Sequence, residues 1–148
     1  MPLTLKVVTP ERVVLEQTVD SVTVMTQTGE ITVLPHHMPL VTALMPGEMR
    51  VKSGGQEWYL AVSTGFLEVK SGNEIIVLAE TAERSEELDL AKIEEMKNKA
   101  RALLATERRL SQDELSAAAA MLERELVRAK VARRQGHKTH QADLNNFH

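Results

Sequence analysis

The stretch "EIIVLAETAERSEELDLAKIEEM", Glu74–Met96, changes its period halfway. Glu74–Glu80 is a short apolar run that reads as a strand. From Ser85 onward the spacing of Leu90, Ile93, Met96, Ala100, Leu103 and Leu104 is that of an amphipathic helix. Ser85 or Asp89 suits the cap that such a helix needs. The fold is therefore expected to divide near residue 85.

Working back from that point, the chain reads as strands. "LTLKVVT", "VDSVTVMT", "EMRVKS", "EWYLAVS" and "FLEVKSG" are short runs, most of them alternating. "TPE", "TGE", "MPGE", "SGGQE" and "KSGNE" punctuate them with turn residues. This pattern predicts an antiparallel sandwich or barrel over residues 1–85. Aromatic residues make up only 3% of the chain, so its core must be built from Val, Leu, Ile, Ala and Met.

Working forward, a second helix opens at "SQDE". Ser111 and Glu114 have capping-box spacing, in which each satisfies a backbone N–H of the other's turn. Its expected apolar line is Leu115, Ala118, Ala119, Leu122, Leu126 and Ala129. Two helices with a connector around Thr106–Leu110 make a hairpin over 86–136, expected to end at Gly136 and to leave 137–148 as a flexible tail. The apolar stripes are narrow, and a hairpin of this kind depends on packing for its stability.

Composition removes several functions. The chain has no cysteine, which excludes disulfides and thiol chemistry. Residues 1–88 hold 6 Lys/Arg against 12 Asp/Glu, whereas 89–134 hold 11 against 8, so the two parts should meet different partners. The cations Arg124, Arg128, Lys130, Arg133 and Arg134 form a cluster that exceeds what a helix dipole needs and suits an acidic protein partner. Nucleic acid is not expected, because no aromatic or glycine-rich loop accompanies the charge. The start, "MPLTLKVVTPERVV", does not read as a secretory signal, and no run is long enough for membrane insertion.

The remaining chemistry lies in "TGEITVLPHHMPLVTAL", Thr28–Leu44, where His36, His37 and Glu30 sit close in sequence. Adjacent residues of a strand point to opposite faces, and zinc needs further ligands that nothing identifies, so no metal site is expected. No catalytic motif or cofactor fingerprint is present. The reading from residues alone is a surface loop stiffened by Pro35 and Pro39.

The order of the pieces carries more. "LKVVTPERVV", then Gly29-Glu30, Leu34-Pro35, His37, Pro39, Leu44 and Gly47, then Gly65-Phe66 and "VLAETAE", then a hairpin, resembles the epsilon subunit of F-type ATP synthases. The resemblance covers about residues 3–110, with the second helix matched by pattern. It implies a ten-stranded β-sandwich followed by two helices. It implies a non-catalytic subunit of the rotary central stalk, peripheral to the cytoplasmic side of a bacterial inner membrane or the stromal side of a thylakoid. The implied partners are the gamma subunit, the c-ring and, through the helices, the alpha and beta catalytic subunits. Thr28, Gly29, Glu30, His36, His37 and Met38 would then be c-ring contacts, and the hairpin with its basic cluster a brake on ATP hydrolysis. Two departures matter. The family has Gly-His-Ala-Pro where this chain has His36-His37-Met38-Pro39. Its ATP motif, Ile/Leu-Asp-x-x-Arg-Ala, survives as Leu88-Asp89 but has Lys92-Ile93 where Arg-Ala stands, and lysine lacks the arginine fork. ATP binding through Asp89 and Lys92 is thus expected to be weak at most, with no other cofactor. An unrelated sandwich adaptor with an assembly hairpin is the alternative.

Overall fold

The computed structural model describes residues 2–106 and 109–145, with 135–145 as backbone only. It divides into a β unit, residues 1–85, and a helical unit, residues 86–148.

The β unit has ten strands: β1 (Leu3–Val8), β2 (Val13–Val19), β3 (Ser21–Thr26), β4 (Gly29–Val33), β5 (Leu40–Leu44), β6 (Gly47–Ser53), β7 (Gln56–Val62), β8 (Gly65–Lys70), β9 (Glu74–Ala79) and β10 (Ala82–Arg84). The ladder runs β10-β7-β6-β3-β5-β8-β9-β1-β2, with β4 on β3. β3 is the corner. Its Val22 and Thr23 pair with β4 on one edge and with β6 on the other, and at Thr26 the second neighbour changes from β6 to Leu44 of β5. One layer is therefore β4-β3-β6-β7-β10 and the other β5-β8-β9-β1-β2. All pairs are antiparallel except β1 with β9, where Leu5 lies beside Ile75 and Val7 beside Val77. A parallel pair needs a long connection, and here most of the β unit lies between the two strands.

The interior is aliphatic, as the composition demands. Leu3, Leu5 and Val7 of β1, Val22 and Val24 of β3, Met49 and Val51 of β6, Leu67 and Val69 of β8, and Ile75 and Val77 of β9 are all buried at alternate positions. Trp58 packs partly against them. Between Val7 and Val8 the register with β2 slips by one residue, a bulge that leaves Val14 as the extra residue. Gly65 is forced by a close approach. A Cβ there would lie 2.0 Å from the carbonyl oxygen of Leu78 and 2.7 Å from Ala79 Cα, so no other residue fits between β8 and β9 without moving backbone.

A 3-10 turn over Ser85–Glu87 precedes the first helix of the helical unit, α1 (Leu90–Leu104). Asp89 is its cap, accepting the N–H groups of Ala91 at 3.1 Å and Lys92 at 3.3 Å. α2 spans Gln112–Asn145, and its capping box is formed: the Glu114 N–H donates to Ser111 Oγ at 3.1 Å and the Ser111 N–H to Glu114 Oε1 at 3.3 Å. The helix passes through Gly136, where a stop was expected, and takes in most of the expected tail. A single glycine inside a helix costs only about 1 kcal/mol against alanine, too little to end it alone. Residues 146–148 of that tail lie outside the described residues.

Candidate interaction surfaces

The histidine loop is held by its own chain and by a neighbouring turn. The His37 N–H donates to the Leu34 carbonyl at 3.1 Å, and the His36 N–H to Asn73 Oδ1 at 2.7 Å. His37 Nδ1 lies 2.7 Å from the Met38 carbonyl oxygen, so that nitrogen carries the proton. His36 has φ +67°, left-handed and unusual for a non-glycine residue. Met38 is 78% and Leu34 56% exposed, so the loop presents apolar side chains to solvent.

Glu30 is not in a loop. It is the second residue of β4 and pairs across the ladder with Met25. Its Oε1 accepts Arg50 Nη2 of β6 at 2.9 Å. The loop begins beyond Val33, at the opposite end of β4, roughly 10 Å along the strand at 3.3 Å per residue. Thr28 and Gly29 lie with Glu30 at the β3–β4 turn, and His36, His37 and Met38 at the other end. The six residues thus cannot share one small ligand. Among the described residues, no group of three or more His, Cys, Asp or Glu is placed to hold a metal ion.

The outer faces of the two layers differ. On the β4-β3-β6-β7 layer, polar groups bond one another. Thr23 and Thr32 hydroxyls lie 2.9 Å apart, Arg50 pairs with Glu30, and Lys52 Nζ sits 3.4 Å from Glu57. The Tyr59 hydroxyl donates to Glu57. That bond, reinforced by Lys52, holds the Glu57 carboxyl below its usual range.

On the other layer, register brings apolar residues into line. Val8 of β1 lies beside Leu78 of β9, Leu78 beside Phe66 of β8, and Phe66 beside Ala43 of β5. Phe66 is 58% and Leu78 52% exposed. With Met45, and with Gln27 and Glu80 as polar lining, this row borders an open depression of about 630 Å³. Residue reading missed this surface. Its trace was in the sequence: Ile75–Ala79 is apolar at every position, whereas a strand with one wet face should alternate.

The helical unit also departs from its expected faces. The buried positions of α1 are Ile93, Lys97 and Ala100, while Leu90, Leu103 and Leu104 are exposed. On α2, Ala118, Glu125, Ala129, Val131 and Ala132 are buried, while Leu115 and Leu126 are about two-fifths exposed. At about 100° per residue, Leu126 lies some 80° round from Ala118, so the expected apolar line mixed two faces. Thin alanines make up most of the covered positions, and Leu115 and Leu126 stay out.

The charges are engaged within this unit. Arg128 Nη1 reaches both Glu125 oxygens, at 3.1 and 2.9 Å. Arg133 Nη2 reaches across to Glu94 Oε1 of α1 at 2.8 Å, and Lys97 Nζ meets Glu94 Oε2 at 2.6 Å. Lys97 first, then Arg133, pulls the Glu94 carboxyl below its usual range. Arg124 and Lys130 are exposed, so the expected basic cluster is partly committed to neighbouring carboxylates. Asp89 is likewise occupied by the α1 cap, and Lys92 is exposed one turn on. Among the described residues, no helix is long and apolar enough to cross a membrane.

Comparison with known proteins agrees with the topology. Residues 2–85 match the family model described as ATP synthase, Delta/Epsilon chain, beta-sandwich domain. The ATP synthase epsilon chain of Dehalococcoides mccartyi strain BAV1 is 43% identical over 133 residues, covering 90% of this chain and 94% of the relative. That of Chloroflexus aggregans is 40% identical over 132 residues, covering 89% and 93%. A chain in the Euglena gracilis mitochondrial ATP synthase structure containing OSCP, F1 and c-ring superposes with TM-score 0.73 at 25% identity, covering 82% of this chain and 76% of that one. A chain in the central stalk and c-ring structure of the Tetrahymena thermophila enzyme shares the fold, with TM-score 0.58 at 13% identity and coverage of 89% and 97%. An unrelated adaptor is thereby set aside, and the chain belongs to the ATP synthase epsilon chain family.

Proposed function

We propose that the chain is a non-catalytic rotor subunit of an F-type ATP synthase, joining the gamma subunit to the c-ring through its β unit and restraining ATP hydrolysis through its helices. The observation that carries this reading is the row Val8–Leu78–Phe66–Ala43 on an outer sheet face. An apolar row of this kind, exposed on a folded sandwich, suits a permanent protein partner, and on this reading that partner is gamma. The c-ring contact is broad. Thr28, Gly29 and Glu30 supply one end of it and His36, His37 and Met38 the other, which fits a wide ring better than a point contact. On this reading the complex sits at the cytoplasmic face of a bacterial inner membrane or the stromal face of a thylakoid.

The helical unit reads as the brake. Its exposed leucines and the exposed Arg124 and Lys130 offer a mixed surface to the catalytic alpha and beta subunits. Asp89 has its carboxylate in a helix cap, and Lys92 lacks a guanidinium fork, so the controlling nucleotide is the one in the catalytic sites. Phe66→Asp tests the docking half. Burying a phenylalanine is worth about 1.5–3 kcal/mol, so affinity for purified gamma should fall at least about tenfold by calorimetry while the β unit still melts cooperatively. Unchanged affinity would move the gamma contact elsewhere. Deleting everything after Glu87 tests the brake: hydrolysis by the assembled enzyme should rise with synthesis retained.

A further inference from the structure

The helical unit holds a charge arrangement that neither packing nor solubility requires. Lys97 lies on the buried line of α1, with its side chain only 11% exposed, between Ile93 and Ala100. Leu103 and Leu104, which could fill a packed face, are exposed instead. The carboxylate that neutralises Lys97 is Glu94, and its second oxygen takes Arg133 from α2, 39 residues away. One carboxylate therefore balances two cations and bridges both helices. Arg133 is 56% exposed, so its arm is open to solvent and ions.

We propose that Glu94 is the hub of an ionic clasp that sets how readily α1 and α2 separate. Removing an anion from between two cations does more than delete hydrogen bonds. It leaves Lys97 largely buried without its carboxylate and leaves Arg133 facing it with like charge. Removing Arg133 deletes the bridge but keeps Lys97 neutralised. The two arms therefore differ in kind: the Lys97 arm is shielded, whereas the Arg133 arm weakens with salt as the screening length falls from about 10 Å at 0.1 M to about 3 Å at 1 M. Ionic strength becomes a control on the hairpin. The clasp's regulatory meaning rests on the brake proposed above, but its existence does not.

The chain has no cysteine, so Asn98→Cys and Lys130→Cys, at exposed positions of α1 and α2, accept spin labels without background. In the full chain, pulsed dipolar spectroscopy should give one dominant short distance. Glu94→Gln should raise the separated fraction several-fold. Arg133→Gln should raise it less, by about twofold, as for an exposed pair. Lys97→Met should suppress the effect of Glu94→Gln, because no buried cation then remains to be neutralised. If Glu94→Gln leaves the distances of the wild type at both low and high salt, or if Lys97→Met fails to suppress it, the clasp is overturned. Trp58 fluorescence, reporting the β unit, separates clasp loss from misfolding. In the assembled enzyme, Glu94→Gln should deepen inhibition of hydrolysis while deletion after Glu87 relieves it. Distance changes without any hydrolysis change would keep the clasp and remove the brake.

Discussion

The β unit and the helical unit distribute their apolar residues in opposite ways. In the β unit, the core positions of β1 to β9 are aliphatic but for Met49, and among the described residues none of the buried ones is charged. In the helical unit, the buried positions include Lys97 and Glu125, while Leu90, Leu103, Leu104, Leu115 and Leu126 are exposed. An aliphatic interior of this density has one good packing. A helical pair built on alanine, with charges inside and leucines outside, is held by little that another surface could not replace. The first arrangement suits a platform that must not change. The second suits a part that exchanges partners.

The largest expected effect lies in the core of the platform. Leu67 is fully buried between layers, and Leu67→Ala should cost about 2–5 kcal/mol, with a urea midpoint well below wild type followed by Trp58, the single tryptophan. Leu126→Ala, at a residue 43% exposed, should change stability by less than about 0.5 kcal/mol. Equal costs at the two sites would erase the comparison. Next comes Gly65→Ala. Its Cβ would meet backbone atoms of Leu78 and Ala79, which cannot swing aside, so the β8–β9 ladder must open at that end. Overpacking of this kind costs about 1–3 kcal/mol or more, and amide exchange should rise at Leu78 and Ala79 before anywhere else.

Much of the platform was legible because its signals are local. Short runs between turn signals, most of them alternating, gave the strands β1, β3, β6, β7 and β8, and an unbroken apolar run gave β9. The strands β2, β4, β5 and β10 were not legible from residues alone. β4 and β10 are short, β5 lies among prolines, and "VVLEQTV" carries Leu15 and Gln17 where clean alternation breaks down. Family resemblance supplied them. The parallel β1–β9 pair and the apolar row depend on register between distant strands, which no local pattern records. In the helices, the caps at Asp89 and Ser111 were readable because capping is a matter of three or four residues. The inward face was not, because alanine, leucine and lysine all fit helical periodicity and only the partner helix decides which of them is covered. Glu94 shows the limit: its spacing to Lys97 is visible, but its pairing with Arg133 is not.

Acid should distinguish the two units more gently. Glu94 is held below its usual value of 4.5 when folded, so its contribution is present above the unfolded value and disappears as pH falls through the lowered one. The α1–α2 distance should therefore be constant through neutral pH and lengthen only below about 4.5. Glu57 is lowered too, through Tyr59 and Lys52, and adds a small loss to the β unit in the same window. The distance between helices, and not a global melt, is then the proper readout. A separation that began near pH 6 would point to a group other than Glu94.

The smallest effect runs against the usual direction, because it should stabilise. His36 holds φ +67° where the family pattern places glycine. A side chain in that region costs about 1–2 kcal/mol, whereas glycine enters it freely but loses more chain entropy, by about 0.5–1 kcal/mol. His36→Gly should thus gain a few tenths of a kcal/mol to about 1 kcal/mol, provided the His36 N–H keeps its bond to Asn73 Oδ1, which a backbone donor can do without its side chain. The gain should appear in the melt of the β unit and leave the helix distances untouched. If it does, the platform tolerates strain in the loop that the c-ring contact is expected to use, and His36 is retained there for what it touches. If His36→Gly instead destabilises the β unit, the imidazole itself stabilises the fold, and the loop belongs with the rigid core from which the comparison separates it.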